Sequence, residues 1–99
     1  MADIFEKEEP RKLKLADGNE YELPILNLNT MANVEAYLGY GLNKLGDKIE
    51  DTPASTLRAV IFALLKEKDK KLSLDKVGEL ITLDVMSDVS DVLSKLMTV

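Results

Sequence analysis

One segment of this chain is apolar on two sides at once. Thr52-Pro53 reads as a helix start, with threonine at the cap and proline at the first helical position, where its missing N–H costs nothing. Beyond it Leu57, Val60, Ile61, Leu64 and Leu65 recur at helical spacing as a stripe, and Ala59, Phe62 and Ala63 form a second apolar surface. Such a helix must be covered from more than one side, so the rest of the chain has to wrap around it. The helix is expected to run from Pro53 to about Lys68 and to end among Lys66, Lys68, Lys70 and Lys71, whose cations suit a helix C-terminus.

The covering elements are legible on both sides. Leu13 and Leu15 alternate with Lys12 and Lys14, and Tyr21 and Leu23 alternate with Glu20 and Glu22. Asp17-Gly18 between them marks a turn, so residues 11–23 read as a β-hairpin. A two-residue loop would oppose Leu15 to Glu20 and mix the faces. A three-residue loop of Ala16, Asp17 and Gly18 sets Leu13 against Tyr21, Lys14 against Glu20 and Lys12 against Glu22. Ala16-Asp17-Gly18 and Asp17-Gly18-Asn19 satisfy that parity equally. A lone hairpin is unstable in water, so its apolar face is expected on the helices.

After Pro24, Asn29 or Thr30 is expected to cap a helix to about Leu38, with Met31, Val34 and Leu38 on one stripe. Leu38, Leu42, Leu45 and Ile49 keep helical spacing through Gly39, Gly41 and Gly46, which predicts a short second helix or a kinked extension of the first. Ser73 caps a helix that turns Val77, Gly78 and Ile81 inward. Thr82 or Asp84 starts the last helix, with Val85, Val89, Val92, Leu93 and Leu96 on one face and Asp84, Asp88, Asp91 and Lys95 on another. The expected fold is α+β, mainly α: an N-terminal hairpin packed on four to five short helices. Residues 1–10 form a flexible acidic arm and 11–99 a single domain, which suits 99 residues.

The chemistry is constrained by what is missing. The chain has neither Cys nor His, so it lacks a thiolate nucleophile, a zinc knuckle and the usual proton shuttle near neutral pH. Asp84, Asp88 and Asp91 do not make a calcium loop: counting from Asp84, the sixth residue is Val89 and the twelfth Lys95, where glycine and glutamate are needed. The lysines from Lys66 to Lys71 alternate with Glu67 and Asp69, have no aromatic interleaved to stack a base, and read as a solvated helix end. The net charge of −5 opposes phosphate backbones and anionic lipid surfaces. There is no membrane-length apolar run, and the acidic start Met-Ala-Asp-Ile-Phe-Glu does not read as a signal peptide, so a cytoplasmic location is expected. An acyl carrier role would need an Asp-Ser-Leu setting. Ser87 and Ser90 are each followed by Asp, and Ser73 sits in Leu-Ser-Leu. No catalytic residue, metal or cofactor is therefore expected, and the chain reads as a protein-binding module.

The candidate surface is apolar. Met86 and Met97 sit eleven positions apart at one edge of the last stripe, where methionine adapts to irregular partners. Leu93 on the stripe itself, and Tyr37 and Tyr40 beside the glycines, complete the candidate set.

The order of features resembles the tail assembly chaperones of long-tailed bacteriophages, particularly those of Gram-positive hosts. The resemblance is carried by Leu13-Lys14-Leu15-Ala16-Asp17-Gly18-Asn19-Glu20-Tyr21-Glu22-Leu23, then Pro24-Ile25-Leu26-Asn27-Leu28 and Asn29-Thr30-Met31-Ala32-Asn33-Val34-Glu35. The leucine-rich stretch from Leu57 to Leu65 and Leu72-Ser73-Leu74-Asp75-Lys76-Val77-Gly78 complete it, over about residues 11–97. It implies a protein of the host bacterial cytoplasm that binds the long helical tape measure protein and keeps it soluble. It also implies help for the tail tube protein as that polymerises, and absence from the mature virion. The rival reading is a small acidic regulatory module that binds some other protein.

Overall fold

The computed structural model describes residues 12–97, with the side chains of Leu96 and Met97 outside the description; the arm expected over 1–10 lies outside the described residues. The chain is mainly helical, with a two-stranded antiparallel hairpin at its N-terminal end, as expected. Strands β1 (Lys12–Lys14) and β2 (Glu20–Glu22) lead into α1 (Leu28–Leu38), α2 (Leu45–Asp51), α3 (Pro53–Leu65), α4 (Leu74–Leu80) and α5 (Met86–Met97). Short 3-10 turns, Leu42–Lys44 and Leu83–Val85, run directly into α2 and α5.

The hairpin pairs Lys12 with Glu22, Leu13 with Tyr21 and Lys14 with Glu20. Opposite charges thus share the solvent face, while Leu13, Leu15 and Leu23 are buried on the other. The backbone also decides between the two loops that the pattern allowed. Leu15 N–H donates to Asn19 O at 3.1 Å and Gly18 N–H donates to Leu15 O at 3.0 Å, so the loop is Ala16-Asp17-Gly18. Gly18 takes φ +83°, a left-handed conformation that costs glycine little. Ala16 N–H donates to Leu80 O at 3.0 Å and fastens the loop to the end of α4.

Asp17 staples this loop. Its carboxylate accepts from Asn19 N–H at 3.0 Å, Asn19 Nδ2 at 3.1 Å and the Tyr21 hydroxyl at 2.7 Å. The Tyr21 hydroxyl, and next the Asn19 amide, hold the Asp17 carboxyl below its ordinary 3.8. The same bond, then burial and the Asp17 charge, push Tyr21 above its ordinary 10.0. The signs fix a window. The Asp17 contribution is present above 3.8 and is lost as pH falls through its lowered folded value, while that of Tyr21 is present below 10.0 and is lost as pH rises through its raised one. Asp17→Asn is expected to bring the Tyr21 titration midpoint down towards 10.0, read from the ring carbon shift by NMR. An unmoved midpoint would contradict the staple.

Helix α1 begins earlier than the sequence suggested. Asn27 is its cap, with Oδ1 accepting from Thr30 N–H at 3.0 Å. Thr30 is not free to cap: its buried hydroxyl donates to Ile25 O at 2.6 Å, anchoring the connection that leads in. Asn29 is exposed in the first turn. Asn27→Ala is expected to cost about 1 kcal/mol and Asn29→Ala a few tenths or less, measured by denaturant unfolding. Equal losses would place the cap elsewhere. The helix stops at Gly39, φ +86°, whose N–H donates to Glu35 O at 2.8 Å.

Thr52 does hold the position before α3, with Pro53 in the first turn, but its side chain does not cap. The corner between α2 and α3 is so short that the last turn of α2 is nearer. Thr52 Oγ1 lies 3.4 Å from Lys48 O and 3.2 Å from Thr56 Oγ1, and Thr56 Oγ1 itself donates to Lys48 O at 3.1 Å. Helix α3 ends at Leu65, short of Lys68, because the chain turns over 66–68 with Lys68 and Asp69 N–H both donating to Leu65 O. Val60, Ile61, Ala63, Leu64 and Leu65 are buried, and α3 packs on α1, α2, α4 and α5. It is the central helix. Its second surface is only half covered, since Ala59 and Phe62 keep partial exposure.

Ser73 caps α4 as expected, accepting from Lys76 N–H at 3.1 Å. Neither Thr82 nor Asp84 starts α5 directly. Thr82 precedes the Leu83–Val85 turn without a side-chain cap, and the α-helix proper begins at Met86. Val89, Val92 and Leu93 face the core, while Asp84, Asp88, Asp91 and Lys95 are exposed.

Candidate protein-binding surface

The five residues singled out in the sequence separate into distinct places. Leu93 is 5% exposed and is part of the core, so it offers a partner nothing while the domain is folded. The Met97 side chain lies outside the described residues. Tyr37 and Tyr40 stand at the end of α1 and in the turn after it. Tyr37, 38% exposed, meets Phe62 edge-on with ring centres 5.5 Å apart, and Lys66 Nζ sits 4.8 Å from its ring centre. Lys48 Nζ sits 5.1 Å from the centre of the Tyr40 ring. Both rings are therefore covered by cations of their own chain.

Met86 is half-buried and lies elsewhere, in a groove of about 750 Å³ between the start of α3 and the outer side of α4. It is larger and more apolar than four other concavities formed by the described residues. Leu57, Ile81 and Met86 supply its apolar walls, with Gly78 also lining it. Leu83, at the start of the turn that brings the chain to Met86, is 90% exposed. A large apolar side chain so fully in water, two and three positions before the partly buried Val85 and Met86, is apolar surface that the fold leaves uncovered.

Arg58 is the charged member. Its side chain runs along Gly78: a Cβ at that glycine would come within 2.9 Å of Arg58 Cδ. Its Nη1 reaches Asp75 Oδ1 at only 4.0 Å, and the two side chains are 40% and 92% exposed, so this pair contributes little to stability. Arg58 Nε is buried and finds no acceptor among the described residues. Nε is thus shut off from an incoming group, and it is the rest of the side chain, 40% exposed and held only by the long Asp75 contact, that the groove presents.

Sequence reasoning found Met86 and missed Arg58, Gly78 and Leu83 as surface features. Leu57 and Ile81 were placed on the inward stripes, and the structure leaves each of them partly exposed. Among the described residues no three His, Cys, Asp or Glu side chains gather to hold a metal ion, and no helix is long and apolar enough to cross a membrane. Comparison with family models, with curated proteins and with solved structures returns no match.

Proposed function

We propose that this chain is a phage tail assembly chaperone that works by binding, not catalysis. It takes an amphipathic helical segment of the tape measure protein into the groove between α3 and α4. The observation that carries this reading is the groove itself: Leu57, Ile81 and Met86 line it, with the exposed Leu83 close by in the chain. Added to the resemblance, it gives an apolar face suited to a partner that displays apolar helical stripes until the tail tube covers them. The chain's net charge of −5 favours a complex that stays in solution. A groove this open suits moderate affinity, which a chaperone needs if it is to hand its client to the tail tube protein and leave before the virion is complete. Its place of action on this reading is the host cytoplasm.

Co-expression tests the reading. On this reading, a tape measure protein from the same genome is expected in the pellet when made alone and in the soluble fraction, bound to this protein, when the two are made together. A tape measure protein that stays in the pellet and does not co-purify would overturn it.

A further inference from the structure

We infer that the α3–α4 groove selects helices that carry a carboxylate beside their apolar stripe, and that Arg58 is the residue that reads it. The inference rests on the groove being the docking surface and adds the chemistry of the occupant. Three observations support it. Arg58 lines the same groove as Leu57, Ile81 and Met86, so a helix seated on those side chains brings its flank to the guanidinium. The guanidinium is underused: its contact to Asp75, through Nη1, is 4.0 Å long with a partner that is 92% exposed, and the Arg58 side chain itself is 40% exposed. A carboxylate arriving with an apolar helix would replace that long contact by short charge-assisted bonds, in a site the helix itself shields from water. Gly78 permits the arrangement, because any side chain there would meet Arg58 Cδ.

The acidic groups of the groove, Asp75 and Glu79, are the counter-argument, since they repel a carboxylate. Both are exposed and so are strongly screened, whereas Arg58 is half-buried at the wall. A lysine-bearing helix would find Asp75 and Glu79 attractive but would leave the Arg58 guanidinium facing a like charge at closer quarters. The groove therefore favours the acidic helix over the basic one.

The test uses the full chain and a synthetic amphipathic helix of about 15 residues. Its leucines sit at i, i+4 and i+7 spacing, and one flanking position carries glutamate, glutamine or lysine. Binding is read by calorimetry and by the NMR signal of the Arg58 Nε–H group. The glutamate peptide is expected to bind roughly three- to tenfold tighter than the glutamine peptide, with the lysine peptide weakest, and to shift the Arg58 signal. In Arg58→Gln the preference for glutamate over glutamine should fall to about one. Gly78→Ala gives a second route that does not depend on the first. Alanine suits a helix better than glycine, so the domain stays folded, while the new Cβ displaces Arg58 and reduces the preference. Equal binding of the glutamate and glutamine peptides to the wild-type chain would overturn the inference. So would an Arg58 signal that moves with protein concentration alone alongside a dimer in sedimentation, which would make the occupant a second copy. Arg58→Gln shifting resonances of residues 1–11 without any peptide would also overturn it, making the occupant the chain's own arm. The peptide result does not depend on the tape measure protein, so failure of the co-expression test and failure of this inference are separate outcomes.

Discussion

Ile61→Ala is expected to cost about 2–5 kcal/mol of folding stability. The side chain is fully buried in the middle of α3, and α3 is the helix on which α1, α2, α4 and α5 all pack. Two terms add. The removed methylene and methyl groups lose their transfer free energy, and the cavity left behind cannot collapse, because Val60 and Leu64 on the same helix are themselves held by elements on both sides. In a domain whose whole stability is of order 5–15 kcal/mol, such a loss is large. Denaturant unfolding reads it as a lower midpoint. A loss below about 1 kcal/mol, the scale of a surface substitution, would show that α3 does not organise this fold.

The second large effect is on binding. Leu83→Glu and Met86→Glu are each expected to weaken capture of the tape measure protein roughly tenfold or more, because each puts a charge into a contact that the partner must dehydrate. The two differ in what they do to the fold. Leu83 is almost wholly exposed, so Leu83→Glu should leave stability within about 0.5 kcal/mol. Met86 is half-buried at the first turn of α5, so its replacement carries some loss of packing as well. Leu83→Glu is for that reason the cleaner probe. Asp88→Ala lies on the exposed acidic face and is the control that should bind normally. Undiminished capture by both glutamate variants would move the site away from this groove, towards Tyr37 and Tyr40.

The hairpin was legible in the sequence as far as which residues share a face, because only one parity keeps Lys and Glu on one face and Leu and Tyr on the other. The choice between the two loops was not, since it depends on which residue takes the left-handed conformation, and the structure gives that to Gly18 as the third loop residue. The central helix was legible because two apolar surfaces demand cover. Caps were less so. Asn27, Asn29 and Thr30 are all good capping residues, and the outcome was decided by a backbone carbonyl, that of Ile25, which draws the Thr30 hydroxyl inward. Thr52 was diverted in the same way by Lys48 O.

At the candidate site, spacing placed Met86 at an edge but could not tell depth along a stripe, so Leu93 was grouped with it although it lies in the core. Arg58 gives no signal in sequence. An arginine within an apolar helix reads as a side chain that reaches out to water, and its lack of a good partner depends on how α4 presents Gly78 and Asp75. Leu83 belongs to no periodic stripe, and its exposure follows from the 3-10 turn that precedes α5.

On the proposed reading a tape measure helix docks between α3 and α4. Methyl and amide NMR of the full chain, titrated with soluble segments of the tape measure protein, tests it most directly. Shifts are expected at Leu57, Ile81, Leu83 and Met86 and at the Arg58 Nε–H group, with the amides of the exposed Asp88 and Asp91, which do not line the groove, unmoved. Shifts confined to Tyr37, Tyr40 and Phe62, or no shifts with any segment, would contradict it.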